Sequence, residues 1–234
     1  MMNSRWESIR PARGSWSLQP ALVIALVGCL APSSFAETKK ATWNVGVARA
    51  IITPEKSVWL AGYGSKRAPD GKLHELWMKA LAFEDQHEHR AVLVTSDFQG
   101  IPKVMSDKVF AELKVKYQLE RTQVMITFSH NHCGPRLGDD LVDYYPVDAE
   151  QVALVDAYTI QMVQRMVKMI GQALEDLAPA QLAIGSGTTT FAVNRRENRE
   201  SEVSKMLADG IPLKGPVDHD VPVLTVKRLD GRLV

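Results

Sequence analysis

Apolar and polar positions alternate from Trp43 to Ile52, with Val45, Val47 and Arg49 marking a period of two, before Thr53-Pro54 closes the run. That period is the signature of a half-buried strand. A loop rich in glycine and charge follows, from Gly62-Tyr63-Gly64 to Asp70-Gly71. Trp77 to Phe83 and Ala91 to Thr95 are further strand candidates, joined by the charged His87-Glu88-His89-Arg90 as a hairpin tip. From Lys103 to Tyr117 the apolar residues fall at 105, 109, 110 and 113, a helical stripe. Val124 to Phe128 returns to strand. Asp148, with Gln151 three residues on, predicts the start of a long helix that runs to about Leu177 and is stopped by Pro179. Val155, Met162, Met166, Ile170 and Leu174 mark its buried face, so the methionines at 162, 166 and 169 are expected to fill a core. Leu182 to Gly187 and Val221 to Arg228 complete the strands. The pattern predicts an α/β fold: a mixed β-sheet packed by helices in a single layered domain.

Asp230-Gly231 predicts a two-residue hairpin turn, with Arg232-Leu233-Val234 returning beside the preceding strand. Because the sequence stops inside that hairpin, the expectation is that these residues form the front part of a longer protein. At the other end, residues 1–36 read as an export signal. Arg5, Arg10 and Arg13 precede the apolar run Ala21 to Leu30, which is too short to span a bilayer. Cleavage after Ala36 is expected; Leu26-Val27-Gly28-Cys29 offers the alternative of a lipoprotein tethered through Cys29. Either outcome places the protein in the periplasm or outside the cell.

Composition narrows the picture. Of 234 residues, 28 are Lys or Arg and 27 are Asp or Glu, and no basic tract appears, which argues against nucleic acid as a partner. There are 2 cysteines, and the one at position 29 falls in the signal. Cys133 then has no partner within the fold, so stability must come from an ordinary core. Residues 37–234 suffice for one such domain.

The chemistry-bearing stretch is Ser129-His130-Asn131-His132-Cys133-Gly134-Pro135, directly after the strand Val124 to Phe128. In an extended segment residues i and i+2 point to one side, so His130 and His132 would project together. Neutral imidazole is the commonest metal ligand, and a zinc site gathers such groups within about 2 Å of the ion. The alternative is a pair of histidines satisfied by backbone or water. The neighbouring Cys133 would face the other way as a structural thiol. His87 and His89 repeat the spacing, but in a polar tip without an apolar lead-in, and are read as solvated surface.

In their order along the chain, Gly62-Tyr63, Lys72-Leu73-His74, Thr95-Ser96-Asp97, the helix Val104 to Tyr117, the histidine motif and Asn194-Arg195-Arg196 resemble the N-terminal catalytic region of the neutral/alkaline non-lysosomal ceramidase family. The likeness spans nearly everything after residue 44. It implies that residues 37–234 are the N-terminal part of a zinc amidohydrolase that cleaves the amide of N-acylated sphingoid bases. Its substrate would be a lipid-like N-acyl amide, with contact to a membrane surface. By the same resemblance His130 binds zinc, and His132 is a catalytic partner that orients water or substrate. Arg195, or Arg196 with a one-residue shift, contacts substrate or the anionic intermediate, and His74 lies at the substrate pocket or satisfies a buried backbone group. The family's remaining ligands (a later His, a Glu and a Tyr) fall beyond Val234. Ser129, Asn131 and Cys133 depart from the family's Thr, Thr and Ser, and Gly-Ile is missing before His74. These changes keep the metal chemistry and leave the lipid substrate open.

A zinc with an open position activates water near neutral pH and polarises a carbonyl. Asp97 is expected either to hold a histidine's far nitrogen or to cap the following turn. Other readings remain. Barrel-type amidohydrolases carry His-x-His after a first strand, but need repeated strand–helix units afterwards. Metallo-β-lactamase-like enzymes need His-x-His-x-Asp-His, which Cys133-Gly134-Pro135 breaks. An exported binding module with an incomplete site is the non-enzymatic alternative.

Overall fold

A computed structural model of the chain describes residues 43–63, 65, 67–140, 142–146 and 148–234. The expected signal at residues 1–36, including Cys29, lies outside them. Among the described residues six strands and three helices follow in chain order: β1 (Trp43–Ile51), β2 (Trp77–Glu84), β3 (Arg90–Ser96), α1 (Lys103–Tyr117), β4 (Val124–Phe128), α2 (Ala149–Glu175), β5 (Ala178–Thr188), α3 (Glu200–Ala208) and β6 (Asp220–Arg228). The fold is α/β, with the strands in one mixed sheet ordered β4-β3-β2-β1-β5-β6.

Antiparallel β2 and β3 are joined by the short link 85–89, while β3 and β4 run parallel, with α1 in the crossover between them. Parallel neighbours require such a connection because the chain must return to the same end of the sheet. The register pairs Val94 with Ile126 and Ser96 with Phe128, so both strands deliver their carboxyl ends to one place.

Helices α1 and α2 cover one face. Val92, Val94 and Val124 from the sheet meet Met105, Val109 and Leu113 from α1 and Met162, Met166 and Ile170 from α2 in one core, as the helical stripes predict. Burial of such side chains is the main stabilising force, each contributing about 1.5–3 kcal/mol. Asp148 caps α2 as expected, its carboxylate accepting from the Gln151 N–H at 3.0 Å. On the opposite face a smaller cluster of Val45, Ala180 and Val226 is flanked by Trp43, Leu81, Phe83 and Leu182. The half-buried Arg228 ties the end of α2 to this side, donating to the carbonyls of Val45 at 2.6 Å and Ala178 at 3.1 Å and to the Asp176 carboxylate at 2.9 Å.

The sequence does not announce α3. It follows the charged run Arg195 to Glu200 and buries no residue, so it lacks the apolar stripe by which the other helices are recognised. The C-terminal turn also differs from expectation. Its hairpin closes with the Arg228 N–H on the Arg232 carbonyl at 2.8 Å, enclosing Leu229-Asp230-Gly231, with Gly231 at φ 87°. That is a three-residue loop with glycine in the left-handed position rather than a two-residue turn. The other hairpin tip agrees with its polar pattern: His87 and His89 are exposed, and Asp85 accepts from the backbone N–H of both.

Two close approaches set the packing of α2. A side chain at Gly46 would place its first carbon 2.0 Å from the Ala173 carbonyl oxygen, and one at Gly171 would meet the Tyr117 hydroxyl at the same distance. Gly46→Ala is therefore expected to lower unfolding stability by roughly 1–3 kcal/mol or more, because the obstacle is backbone. Gly71→Ala, which meets nothing within 4 Å, is the control and should change stability by less than about 0.5 kcal/mol. Urea denaturation of the two variants reads the difference.

A second expectation concerns acid. Glu84 on β2 accepts from the Asn44 amide of β1 at 2.9 Å and from Arg90 of β3 at 2.8 Å. The Asn44 amide first, and Arg90 after it, hold the Glu84 carboxyl below its usual range. A depressed carboxyl contributes stability above its unfolded pKa and loses it as pH falls through the folded value. Glu84→Gln should therefore flatten the acid limb of stability against pH and leave the alkaline limb unchanged, as followed by urea midpoints.

Candidate metal centre

The histidine pair sits where β3 and β4 end, the position at which open α/β sheets characteristically bind ligands. The chain leaves both strands in step. The Ser129 N–H donates to the Ser96 carbonyl at 3.0 Å, and the Asn131 N–H reaches the Phe98 carbonyl at 3.4 Å. Residues 96–99 and 129–131 thus continue the strand pairing as two adjacent loops.

The pair does not stand on an extended segment as the spacing predicts. Strand β4 stops at Phe128, and His130 takes the left-handed backbone conformation, φ 54°. The imidazoles nevertheless converge, because the chain is turned rather than straight. His130 Nε2 and His132 Nε2 are 3.2 Å apart, with ring centroids 4.9 Å apart and planes at 65°. The Nδ1 of His130 lies 2.9 Å from the Gln99 main-chain carbonyl oxygen. A carbonyl only accepts, so Nδ1 carries the hydrogen and the neutral ring presents the lone pair of Nε2 to its neighbour.

His132 is held from three sides. Gly62, at φ 108°, brings its backbone against the ring, and a methyl group there would lie 2.3 Å from His132 Nδ1. Tyr63 packs against the same ring at a centroid distance of 4.7 Å while staying 66% exposed. Arg67 donates to the His132 carbonyl at 2.9 Å and lies over the Tyr63 ring at 4.7 Å. The loop carrying these residues is pinned to the motif by the Ala61 N–H on the Gly134 carbonyl at 2.9 Å and the Arg136 N–H on the Trp59 carbonyl at 2.7 Å. Beneath it, the Tyr145 hydroxyl accepts from the Gly62 N–H at 2.9 Å, and the buried Arg136 stacks on the Tyr145 ring at 4.0 Å. Burial pushes the nearby Asp140 carboxyl up, opposed by the charge of Arg136.

Asp97 holds neither histidine. Its Oδ2 accepts from the Trp77 N–H at 2.9 Å and its Oδ1 faces the Ser129 hydroxyl at 3.5 Å, which joins the start of β2 to the ends of β3 and β4. Cys133 is exposed, contrary to the structural thiol expected from strand alternation, because the turn of the chain at this point cancels that alternation. His74 is exposed, with Nδ1 2.9 Å from the Glu75 carbonyl oxygen. Arg195 and Arg196 are exposed on a turn organised by Asn194, whose Oδ1 accepts the Arg196 N–H at 3.0 Å; Arg195 pairs with Glu200 at 3.1 Å. Asn198, buried and missed in the sequence, bonds the Lys214 carbonyl and N–H at 2.8 and 2.9 Å and holds that turn. Among the described residues no hydrogen bond or ring contact joins His74, Arg195 or Arg196 to the pair.

The donor set fits one side of a metal centre. Two nitrogens on a tetrahedral zinc, each at 2.0–2.1 Å, lie about 3.3 Å apart, close to the observed 3.2 Å. His132 Nδ1 is buried without a hydrogen-bond partner, so the protein around this ring does not by itself satisfy it. Among the described residues no group of three or more His, Cys, Asp or Glu is placed to hold an ion.

The site is thus a histidine pair at the ends of the parallel strands of a mixed α/β sheet. Residues 43–228 match the family model for the N-terminal region of neutral/alkaline non-lysosomal ceramidases, and the chain belongs to that family. It is similar to a solved ceramidase complexed with C2 (27% identity, TM-score 0.62, covering 83% of this chain and 30% of that one). It is similar also to the neutral ceramidase of Pseudomonas aeruginosa (26% identity, TM-score 0.63, covering 83% and 31%). The chain therefore spans about three-tenths of the length of these ceramidases. No curated protein sequence matches it significantly.

The Gly62 contact yields a direct expectation. Gly62→Ala puts a methyl into the space of the His132 ring and strains a backbone at φ 108°, at a cost of about 1–3 kcal/mol. His132 should swing away from His130, and the loss of inter-ring nuclear Overhauser contacts between the two imidazoles would report it.

Proposed function

We propose that this chain carries part of the zinc centre of an amidohydrolase that cleaves the N-acyl amide of ceramide-like sphingolipids. The observation that supports it is the 3.2 Å approach of the two Nε2 atoms at the ends of β3 and β4, in a chain of the ceramidase family. Bound zinc would supply an activated water near neutral pH and polarise the acyl carbonyl.

The protein's own groups then have distinct tasks. His130 offers Nε2 as the metal ligand, its tautomer fixed by the Gln99 carbonyl. His132, where its Nε2 is not itself a ligand, carries a proton toward the departing amine, a role worth roughly 10²–10⁴ in rate. Arg195 stabilises the oxyanion, since its guanidinium stays charged. Its exposed ion pair with Glu200 is weak enough to yield to a substrate. Arg196 and His74, both exposed, are assigned to substrate contact. Tyr63 and Leu73 are exposed in the segment leading from β1 to β2, as suits an enzyme that meets its substrate at a membrane surface. Export through residues 1–36, by cleavage or by lipidation of Cys29, belongs to the same proposal.

A catalytic zinc takes three protein ligands, and the histidine pair supplies two at most. The 234-residue chain by itself is therefore expected to bind zinc no tighter than about micromolar, the gap in ligand number being the reason, and to show no amidase turnover. Competition of the purified chain against a chelating dye measures the affinity, and His130→Ala should weaken it at least about tenfold. Equal zinc binding by wild type and His130→Ala removes the metal assignment. Submicromolar affinity together with turnover by this chain removes the argument from ligand number.

A further inference from the structure

The geometry points to Gln99 as a third functional group of the centre: its main-chain carbonyl positions His130, and its carboxamide presents an N–H donor to the acyl oxygen of the substrate. The inference rests on the amidase reading for the substrate and on the observed contacts for the placement. Gln99 follows the end of β3 and is the residue from which the loop turns toward α1. The adjoining contacts between residues 96–98 and 129–131 fix it opposite the histidine pair. Its carbonyl oxygen lies 2.9 Å from His130 Nδ1, and its Nε2 lies 3.5 Å from His132 Nε2. One residue therefore touches both rings, one through its backbone and the other through its side chain.

The chemistry of these atoms differs. The carbonyl accepts only, so it specifies the hydrogen on His130 Nδ1 and leaves Nε2 for a metal. The carboxamide nitrogen donates only. Its contact with His132 is at the outer limit of a hydrogen bond, and Gln99 is half-buried, so an N–H remains available to a ligand at the mouth of the pair. An amide substrate brings a carbonyl oxygen to that mouth, and a preformed donor there counters the charge that develops on it.

Two variants separate placement from function. Gln99→Glu keeps the length of the side chain but puts a carboxylate beside the two imidazoles. If Gln99 lies where described, this adds a third ligand, and zinc affinity of the full chain, measured with the metal alone by dye competition, should rise about tenfold or more. Gln99→Ala keeps the main-chain carbonyl. It should leave zinc affinity within about twofold and the Nδ1–H form of His130 unchanged in nitrogen-15 spectra, while weakening binding of a short-chain N-acylated sphingoid base to the zinc-loaded chain about tenfold. An unaltered zinc affinity in Gln99→Glu overturns the placement, and unaltered amide binding in Gln99→Ala overturns the donor role. If His130→Ala binds zinc as wild type does, it is the metal reading that fails, and the two failures are told apart.

Discussion

The parallel pairing of β3 with β4 is the constraint from which the rest of the centre follows. Its register sets Ser96 beside Phe128, and the loops leaving those strands continue side by side through the Ser129 and Asn131 N–H groups. Gln99 and His130 meet because their strands end together. The helix needed to connect parallel strands, α1, lies against α2 and closes the core beneath the site. The same stretch of chain therefore supplies the packing that stabilises the fold and the position of the chemical groups.

A second element flanks the histidine pair. The segment between β1 and β2 adds no strand to the sheet, yet it carries Gly62, Tyr63 and Arg67 to His132 and is bonded to residues 134 and 136 of the motif. Glycine at 62 is required twice, by its positive φ and by the ring that fills the space of a side chain. Tyr145 and Arg136 hold this segment from below. The imidazole at 132 is thus held by backbone and ring, and its main-chain carbonyl by a guanidinium, from a part of the chain some seventy residues away in sequence, the separation of Gly62 and His132.

Much of the fold was legible because burial leaves a period in the sequence. The stripe at 105, 109 and 113 and the long face from Val155 to Ile170 gave α1 and α2, and the Asp148 cap gave the start of α2. Helix α3 left no such trace, since none of its residues is buried. The histidine motif was legible as chemistry but not as conformation. Strand alternation predicted convergence for His130 and His132 and a structural thiol facing the other way at 133; with a left-handed residue at 130 the rings still converge and the thiol is exposed. Gln99 and Arg67 carried no signal, because both act on the pair through tertiary contacts, partly through main-chain atoms, that residue type does not encode. Asn198 was invisible for the same reason.

The tautomer of His132 decides which ring nitrogens of the pair are left unsatisfied. With Nδ1 of His130 committed to the Gln99 carbonyl, its Nε2 is a lone pair facing His132 at 3.2 Å. If His132 donates from Nε2, the contact is a hydrogen bond, but its buried Nδ1 is left as an unpaired acceptor. If the hydrogen sits on Nδ1 instead, that N–H is the buried unpaired group, and two lone pairs oppose each other across the gap. The first form costs one unsatisfied buried atom, of order 1–3 kcal/mol. In the second form the Gln99 carboxamide N–H, 3.5 Å from His132 Nε2, is the donor that faces one of those lone pairs. A structural histidine pair would be expected to satisfy its ring nitrogens within the fold. Here His132 Nδ1 is unpaired in either form, and an ion held between the two Nε2 atoms would leave it so.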